Sequence, residues 1–397
     1  MSKIISVNAG SSSLKFQLYE MPAEEVLTSG VFERIGFDDA IFTIKVKGEK
    51  IQETLAIKNH QIEVNILLDA LIKYQILDDL NDISGVGHRI VHGAEHFDAS
   101  ILVDADVVAK VEDIADLAPL HNPANLVGYN SFKEALVDAK HVFVFDTAFH
   151  QSMDPTTFLY PLPYEIYQDY KVRRYGFHGT SHLYVSKRVA ELMNKPVESL
   201  NIISCHLGNG ASLTAIKGGK SINTSMGFTP LSGVMMGTRT GDVDASIVTY
   251  LMEKMNITAQ EVIDIFNKKS GMLGVSGLSS DARDVEAAYL KGDQRAILTR
   301  KMYAQRIAGF IGSYFVQLGS IDAIVFTAGL GENDISVRAD IMDLIKEPLG
   351  VEYSSESNNV RGKETKISTP NSKIDVWLVP TDEELVIARD TYKIMVK

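Results

Sequence analysis

Two stretches of this chain, half its length apart, open in the same way. Ile4-Ile5-Ser6-Val7-Asn8-Ala9-Gly10 aligns with Ile202-Ile203-Ser204-Cys205-His206-Leu207-Gly208 at a constant offset, and after one extra residue Ser13-Leu14 meets Ser212-Leu213. Each copy reads as a β-branched strand, a turn of small residues and a second alternating strand. We take the match as an internal duplication rather than a coincidence, so the chain is expected to hold two lobes that begin with the same hairpin. A length of 397 residues allows two to three domains of about 150 each. With 45% apolar and 23% charged residues, there is material for a packed core in both lobes.

The runs Ile4 to Val7, Leu14 to Tyr19, Ile41 to Val46 and Ile51 to Ile57 predict antiparallel strands and hairpins. Helical spacing follows in Ile62, Ile66, Leu67, Ala70 and Leu71, and again in Val107, Val108, Val111, Ile114 and Ala115. Strand-like runs Ile83 to Val91 and His141 to Asp146 lie between and after them. This α/β lobe closes near residue 148, and Gln151 to Pro163, with three of the 11 prolines, reads as a linker. In the second lobe Thr180 or Ser181 is expected to cap a helix, and Thr258 with Glu261 opens another that Gly271 can close. Gln294 to Leu318 reads as a long helix, Ile321 to Thr327 and Ile374 to Val379 as strands, and Glu383 to Val396 as a last helix that could pack on either lobe.

Charge and composition exclude several partners. Lys plus Arg total 39 against 51 Asp plus Glu, a net charge of −12, which disfavours nucleic acid and anionic bilayers. One cysteine, Cys205, permits no internal disulfide and fits a reducing cytosol. MSKIISVNAG lacks a secretory apolar core, and no apolar run approaches the roughly 18 residues that span a bilayer. A soluble, cytoplasmic protein is expected.

Three turns look suited to phosphate: Asn8 to Lys15, which offers bare backbone N–H groups, hydroxyls and an ammonium, its second copy at His206 to Gly210, and the Gly-rich turn Gly329 to Asn333. The Walker pattern is absent, because Gly219-Lys220-Ser221 has Thr214 where the upstream glycine belongs. A dinucleotide fingerprint at Gly329-Leu330-Gly331 fails at Asp334, whose carboxylate would face pyrophosphate. Of the histidines, His88, His92, His96 and His182 read as loop or helix-start residues, and His178 stands apart. Lys171, Arg173 and Arg174 read as a solvated surface cluster. Arg89, at a strand end, and Arg239, in a loop of small residues, are placed to meet an anion. Asp146 ends a strand, where a carboxylate either serves a metal–nucleotide or caps a helix.

These segments together resemble the acetate kinase family. VNAGSSSLKF from Val7, GHRIVHG from Gly87, LAPLHNP from Leu117, FDTAFH from Phe145, RRYGFHGTSH from Arg173, HLGNGAS from His206, MGFTPLSGVMMGTRTGDVD from Met226, FTAGLGEN from Phe326 and TDEEL from Thr381 follow the family order over essentially the whole chain. The resemblance implies two duplicated ribonuclease-H-like lobes of the actin-like ATPase fold, residues 1–148 completed by a C-terminal helix at 384–397, and residues 149–383, with nucleotide in the cleft. It implies reversible transfer of the ATP γ-phosphoryl group to acetate, giving acetyl phosphate and ADP, with Mg²⁺ as cofactor and Mn²⁺ as a substitute. Asn8 and Glu383 would hold the metal. Lys15, His206, Leu207, Gly208, Asn209, Gly210, Asp281, Ala282, Arg283, Gly329, Leu330, Gly331, Glu332 and Asn333 would surround ATP. Arg89 would bind the acyl carboxylate, and Val91, Leu120, Phe177 and Pro230 its methyl group. Asp146, His178 and Arg239 would act at the phosphoryl group, and the second lobe would form a homodimer. Asp382 departs from the family's more usual asparagine and adds negative charge near the metal.

Chemistry supports the same set. A carboxylate acceptor is already ionised at pH 7, so the task is to neutralise and align several negative charges along an in-line path. Asp146 is then chiefly an orienting group. Competing readings are a slow ATPase switch on the same fold, a dehydrogenase using Gly329 to Asn333, and a propionate or butyrate kinase.

Overall fold

A computed structural model describes residues 1–119 and 121–397, so Leu120 lies outside the described residues. The chain divides into two compact units, Met1–Ala148 with Asp382–Lys397, and Phe149–Thr381. The crossing back falls at Asp382, two residues before the expected 384. Asp382 caps the last helix, Glu383–Met395, by accepting a hydrogen bond from Leu385 N–H at 2.9 Å, and so belongs with it.

The first unit is built on an eight-stranded sheet: β1 Ser2–Ala9, β2 Ser13–Met21, β3 Glu25–Glu33, β4 Ala40–Val46, β5 Glu49–Leu55, β6 Ile83–Ile90, β7 Ile101–Leu102 and β8 Lys140–Phe145, in the order β5-β4-β3-β2-β1-β6-β8-β7. Antiparallel hairpins make one half, while β1, β6 and β8 run parallel, joined by helical crossovers. The second unit carries β9 Asn201–Leu207, β10 Ala211–Lys217, β11 Lys220–Thr224, β12 Ala323–Thr327, β13 Thr365–Lys366 and β14 Asp375–Leu378, ordered β11-β10-β9-β12-β14-β13. That order repeats β3-β2-β1-β6-β8-β7, including three parallel central strands and a short antiparallel edge. The hairpin echo in the sequence is thus the visible part of a repeat that spans six strands.

Each sheet is covered by helices that meet its apolar face. In the first unit Val64, Leu67, Leu68 and Leu71 of helix His60–Lys73 pack with Ile5, Val7, Leu14, Phe16 and Val86 of the sheet. The terminal helix packs on the other face, and two glycines on β6 make room for it. A Cβ on Gly85 would overlap Met395, and one on Gly87 would overlap Thr391 and Ile387. In the second unit Val185 and Val189 of helix Gly179–Leu192 join Ile202, Ile216, Ala323 and Val325.

Several expected features are corrected. Gln151 to Pro163 is folded rather than a linker: Asp154 caps helix Pro155–Phe158, where Pro155 takes the first turn, and Met153 and Phe158 are buried. Helix Gly179–Leu192 starts from His178 in a left-handed conformation (φ 57°), not from a Thr180 or Ser181 cap, and both hydroxyls are buried. The capping box at Thr258 and Glu261 forms, but its helix Ala259–Lys268 ends before Gly271, which at φ +61° opens helix Gly271–Ser276. Gly329 to Asn333 is no open turn but part of helix Ala328–Asn333. Arg173 is buried with its guanidinium 3.6 Å from the Phe158 ring, and Arg174 donates to the Thr224 carbonyl at 2.7 Å, so neither is a solvated surface residue.

Candidate active site

In the first unit alternation along β6 decides the site. Gly85, Gly87 and Arg89 share one face, the face that receives the terminal helix, so Arg89 is carried toward the end where that helix begins. Its Nε donates to Asp146 Oδ1 at 2.9 Å, its Nη2 donates to Asp146 Oδ2, and its Nη1 donates to Asn8 Oδ1 at 3.0 Å. β1, β6 and β8 are adjacent in the sheet, which is why residues 8, 89 and 146 meet. Asp146 follows β8 directly and is buried, and the bidentate pair spares it an unpaired charge. Glu383 begins the terminal helix beside them. Burial, reinforced by the charges of Asp146 and Glu384 and opposed by Arg89 and Lys15, pushes its carboxyl up to about 7. Lys15, expected at phosphate, is salt-bridged to Glu384. Burial likewise raises the carboxyl of Asp382.

Val91 lies just past β6, which ends at Ile90. Val91 is buried and its N–H donates to Asn125 Oδ1 at 3.1 Å. His88, expected in a loop, is buried inside β6 with its Nε2 2.9 Å from Nδ1 of His141.

In the second unit a bare turn gathers an arginine and two histidines. Gly208 N–H donates to the Gly210 carbonyl at 3.1 Å, closing the turn between β9 and β10. A Cβ on Gly210 would lie 3.3 Å from Arg239 Nη2 and 3.5 Å from His178 Cε1; one on Gly208 would lie 3.7 Å from His206 Nε2 and 3.7 Å from the Ala328 Cβ. His178 stacks on His206 at 4.1 Å between ring centroids. Arg239 Nη1 donates to the Pro230 carbonyl at 2.9 Å, and no carboxylate pairs with it among the described residues. Burial lowers its pKa, which leaves a guanidinium still charged and unneutralised. Phe177, just before His178, is buried, and its carbonyl accepts a hydrogen bond from His150 Nε2 at 3.0 Å.

The other nucleotide candidates divide. Asn209 accepts at its carbonyl from Gly237 N–H at 3.0 Å, and a Cβ on Gly237 would meet Asn209 and, at 3.2 Å, the Ser280 carbonyl, which sets Asp281, Ala282 and Arg283 next to the turn. Asp281 caps helix Ala282–Leu290 and pairs with the exposed Arg283. Leu207 is fully buried, so only its backbone is open to a ligand role. Gly331 packs 3.7 Å from Leu207, measured from its ideal Cβ, whereas Gly329 faces open space. Leu330 stands on the same short helix. Glu332 is turned to its own helix, accepting from Ala328 N–H at 2.8 Å and Thr381 N–H at 3.2 Å, and Asn333 donates to the Gly329 carbonyl at 3.0 Å.

Sequence reading passed over the buried polar face behind this turn. Ser204 and His206 on β9 pair with Thr214 and Ser212 on β10, alternating with apolar residues. That period of two was the available signal. Arg338, fully buried, was also missed: it donates to the carbonyls of Gly331 at 2.9 Å and Val360 at 2.7 Å, holding helix Ala328–Asn333 from behind.

A profile of the Acetokinase family matches residues 3–389. The chain is 57% identical over 394 residues to the acetate kinase of Geobacillus kaustophilus (strain HTA426), covering 99% of each. Its fold superposes on the crystal structure of Porphyromonas gingivalis acetate kinase with a TM-score of 0.95 at 44% identity, covering 100% of both chains. A propionate kinase from Francisella tularensis subsp. tularensis SCHU S4 follows with a TM-score of 0.93 and 38% identity, covering 99% of this chain and 100% of that one.

Proposed function

Because this chain belongs to the Acetokinase family, we propose a distinct task for each residue of the two clusters in its reaction. The activity is that of an acetate kinase: the γ-phosphoryl group of ATP passes to acetate, giving acetyl phosphate and ADP. An acetate oxygen attacks the γ-phosphorus as the bond to the β,γ-bridging oxygen breaks, and ADP leaves with the bonding pair. Arg239 neutralises, and His178 donates a hydrogen bond to, the equatorial oxygens of the transferred group, where charge is spread in the transition state. The observation that carries this assignment is their convergence, with His206, on the bare turn Gly208 to Gly210.

Arg89 keeps two of its five N–H donors beyond those given to Asp146 and Asn8, and with them it receives the acetate carboxylate. Val91, Phe177 and Pro230 provide apolar surface for the methyl group. Asp146 orients Arg89 and needs no proton to do so. Asn8 and Glu383 would hold Mg²⁺, which when bound would supply charge neutralisation at the phosphates of ATP. Among the described residues no group of three His, Cys, Asp or Glu side chains is arranged to hold a metal alone. The all-oxygen set around Asn8 and Glu383, with excess negative charge, suits a hard cation already ligated by phosphate. Among the described residues no helix is long and apolar enough to cross a membrane. A single buried thiol, Cys205, suits the cytoplasm. Two copies pair through the second unit.

The test is ATP consumption with acetate, propionate and butyrate side by side, with hydroxylamine trapping the acyl phosphate. Acetate should give the highest kcat/KM. ATP turnover without trapped acyl phosphate would overturn the reading.

A further inference from the structure

A hydrogen-bonded chain runs from the interior of the second unit to His178. Ser204 Oγ lies 2.8 Å from His182 Nδ1, His182 Nε2 lies 2.8 Å from Ser212 Oγ, and Ser212 Oγ lies 2.9 Å from His178 Nδ1. Ser204, His182 and Ser212 are fully buried, so water cannot substitute for a missing link. We infer that Ser212, backed by His182 and Ser204, is a positioning residue that fixes His178 in the tautomer protonated at Nε2. The inference rests on the reading that His178 acts at the transferred phosphoryl group.

A hydroxyl has one proton to give, and so has a neutral imidazole. Burial holds His182 neutral, pushing its pKa well below the usual value. With both rings neutral and each hydroxyl donating along the chain, the three links can be ordered in two ways. In one, Ser204 donates to His182 Nδ1, His182 Nε2–H donates to Ser212, and Ser212 donates to His178 Nδ1. His178 then carries its proton on Nε2. In the reverse ordering the proton sits on Nδ1, and Nε2 presents a lone pair. A phosphoryl oxygen accepts from N–H and is repelled by a lone pair, so only the first ordering serves the reaction. The ring is kept in place by the left-handed backbone of His178 and by its stack on His206. His206 repeats the device: its Nδ1 lies 2.8 Å from Ser181 Oγ, which in turn accepts from Thr381 Oγ1 at 2.8 Å.

The experiment combines steady-state kinetics with histidine-ring ¹⁵N NMR on the full-length protein. Wild type should show His178 as the Nε2–H tautomer. Ser212→Ala should mix the tautomers and lower kcat by about 10- to 100-fold, with KM for ATP and acetate moving less than about threefold. Ser212→Thr, which keeps the hydroxyl, should restore most of the turnover. Ser204→Ala, at the far end, should give a smaller loss in the same direction, and it carries the test if Ser212→Ala does not fold. A wild-type His178 protonated at Nδ1, or kcat within twofold of wild type in both alanine variants, overturns the inference. Wild-type turnover in His178→Gln would instead overturn the phosphoryl assignment, and the tautomer measurement would still decide the chain.

Discussion

At the scale of single residues, the two functional arginines differ in what surrounds them. Arg89 is bound on one side by Asp146 and Asn8, so its charge is largely matched before any ligand arrives. Arg239 is held by uncharged partners, the Pro230 carbonyl and the Met236 sulfur, and sits against the glycine turn, so its charge is available to a group that becomes more negative as it reacts. Losing Arg239 should therefore cost turnover, and losing Arg89 should cost substrate. Arg239→Ala is expected to lower kcat by about 10² to 10³-fold, with little change in the KM for acetate, because one donor to a developing charge is worth roughly 3 kcal/mol. Arg89→Ala is expected to raise the KM for acetate more than Arg239→Ala does, and it also leaves Asp146 buried without its partner. Steady-state kinetics on both variants check the split, and a near-normal kcat in Arg239→Ala would contradict it.

At the scale of elements, the terminal helix matters most, because it carries Glu383 and rests on β6 through the bare faces of Gly85 and Gly87. Gly87→Ala puts a methyl group into Thr391 and Ile387, an overpacking expected to cost about 1 to 3 kcal/mol and to shift Glu383 away from Arg89. The urea midpoint should fall and kcat with it; an unchanged midpoint would show that the helix yields freely. The sequence made such elements legible where pattern alone decides them: helix Gln294–Leu318 begins and ends where its spacing predicts, and the hairpins of β1–β2 and β9–β10 follow their β-branched runs. It was misleading where tertiary contacts decide. The prolines between Gln151 and Pro163 suggested a linker, but Asp154 and buried Phe158 make them part of a fold. Arg173 and Arg174 sit in a basic run, yet ring faces and backbone carbonyls hold them. Strand β3 went unread because Ser29 and Gly30 interrupt its apolar alternation, Gly30 lying where a Cβ would strike Phe16. Of the candidate site, the residues proposed to meet ligand stand within motifs that the sequence displays. Those that hold them, Ser212, His182 and Arg338, lie on buried faces that no motif marks.

At the scale of the whole molecule, two properties follow from what is left exposed and what is buried. Helix Ser246–Met255 buries none of its residues although it carries Ile247, Tyr250 and Met255, so it is the surface through which two copies should pair. Sedimentation at micromolar concentration should give a dimer, and Tyr250→Glu a lighter species; a monomeric wild type would refute the pairing. The second property is acid sensitivity. His141 and His150 are buried, and burial pushes both down to about 4, while His88 and His182 are also driven well below their usual value. In the unfolded chain these rings take up protons near pH 6.5, whereas the folded chain refuses them until about pH 4, so between those values the unfolded state binds more protons. Stability is then fully present above about pH 6.5 and falls as the pH drops, by as much as about 1.4 kcal/mol per pH unit for each such histidine. Replacing His150, whose Nδ1 lies 2.8 Å from Ser221 Oγ and whose Nε2 donates to the Phe177 carbonyl, with Gln keeps an N–H for that carbonyl and removes the titration. His150→Gln should therefore flatten the decline of the urea midpoint between pH 6.5 and 4 by about one histidine's share. A decline as steep as that of wild type would mean that acid acts on the protein elsewhere.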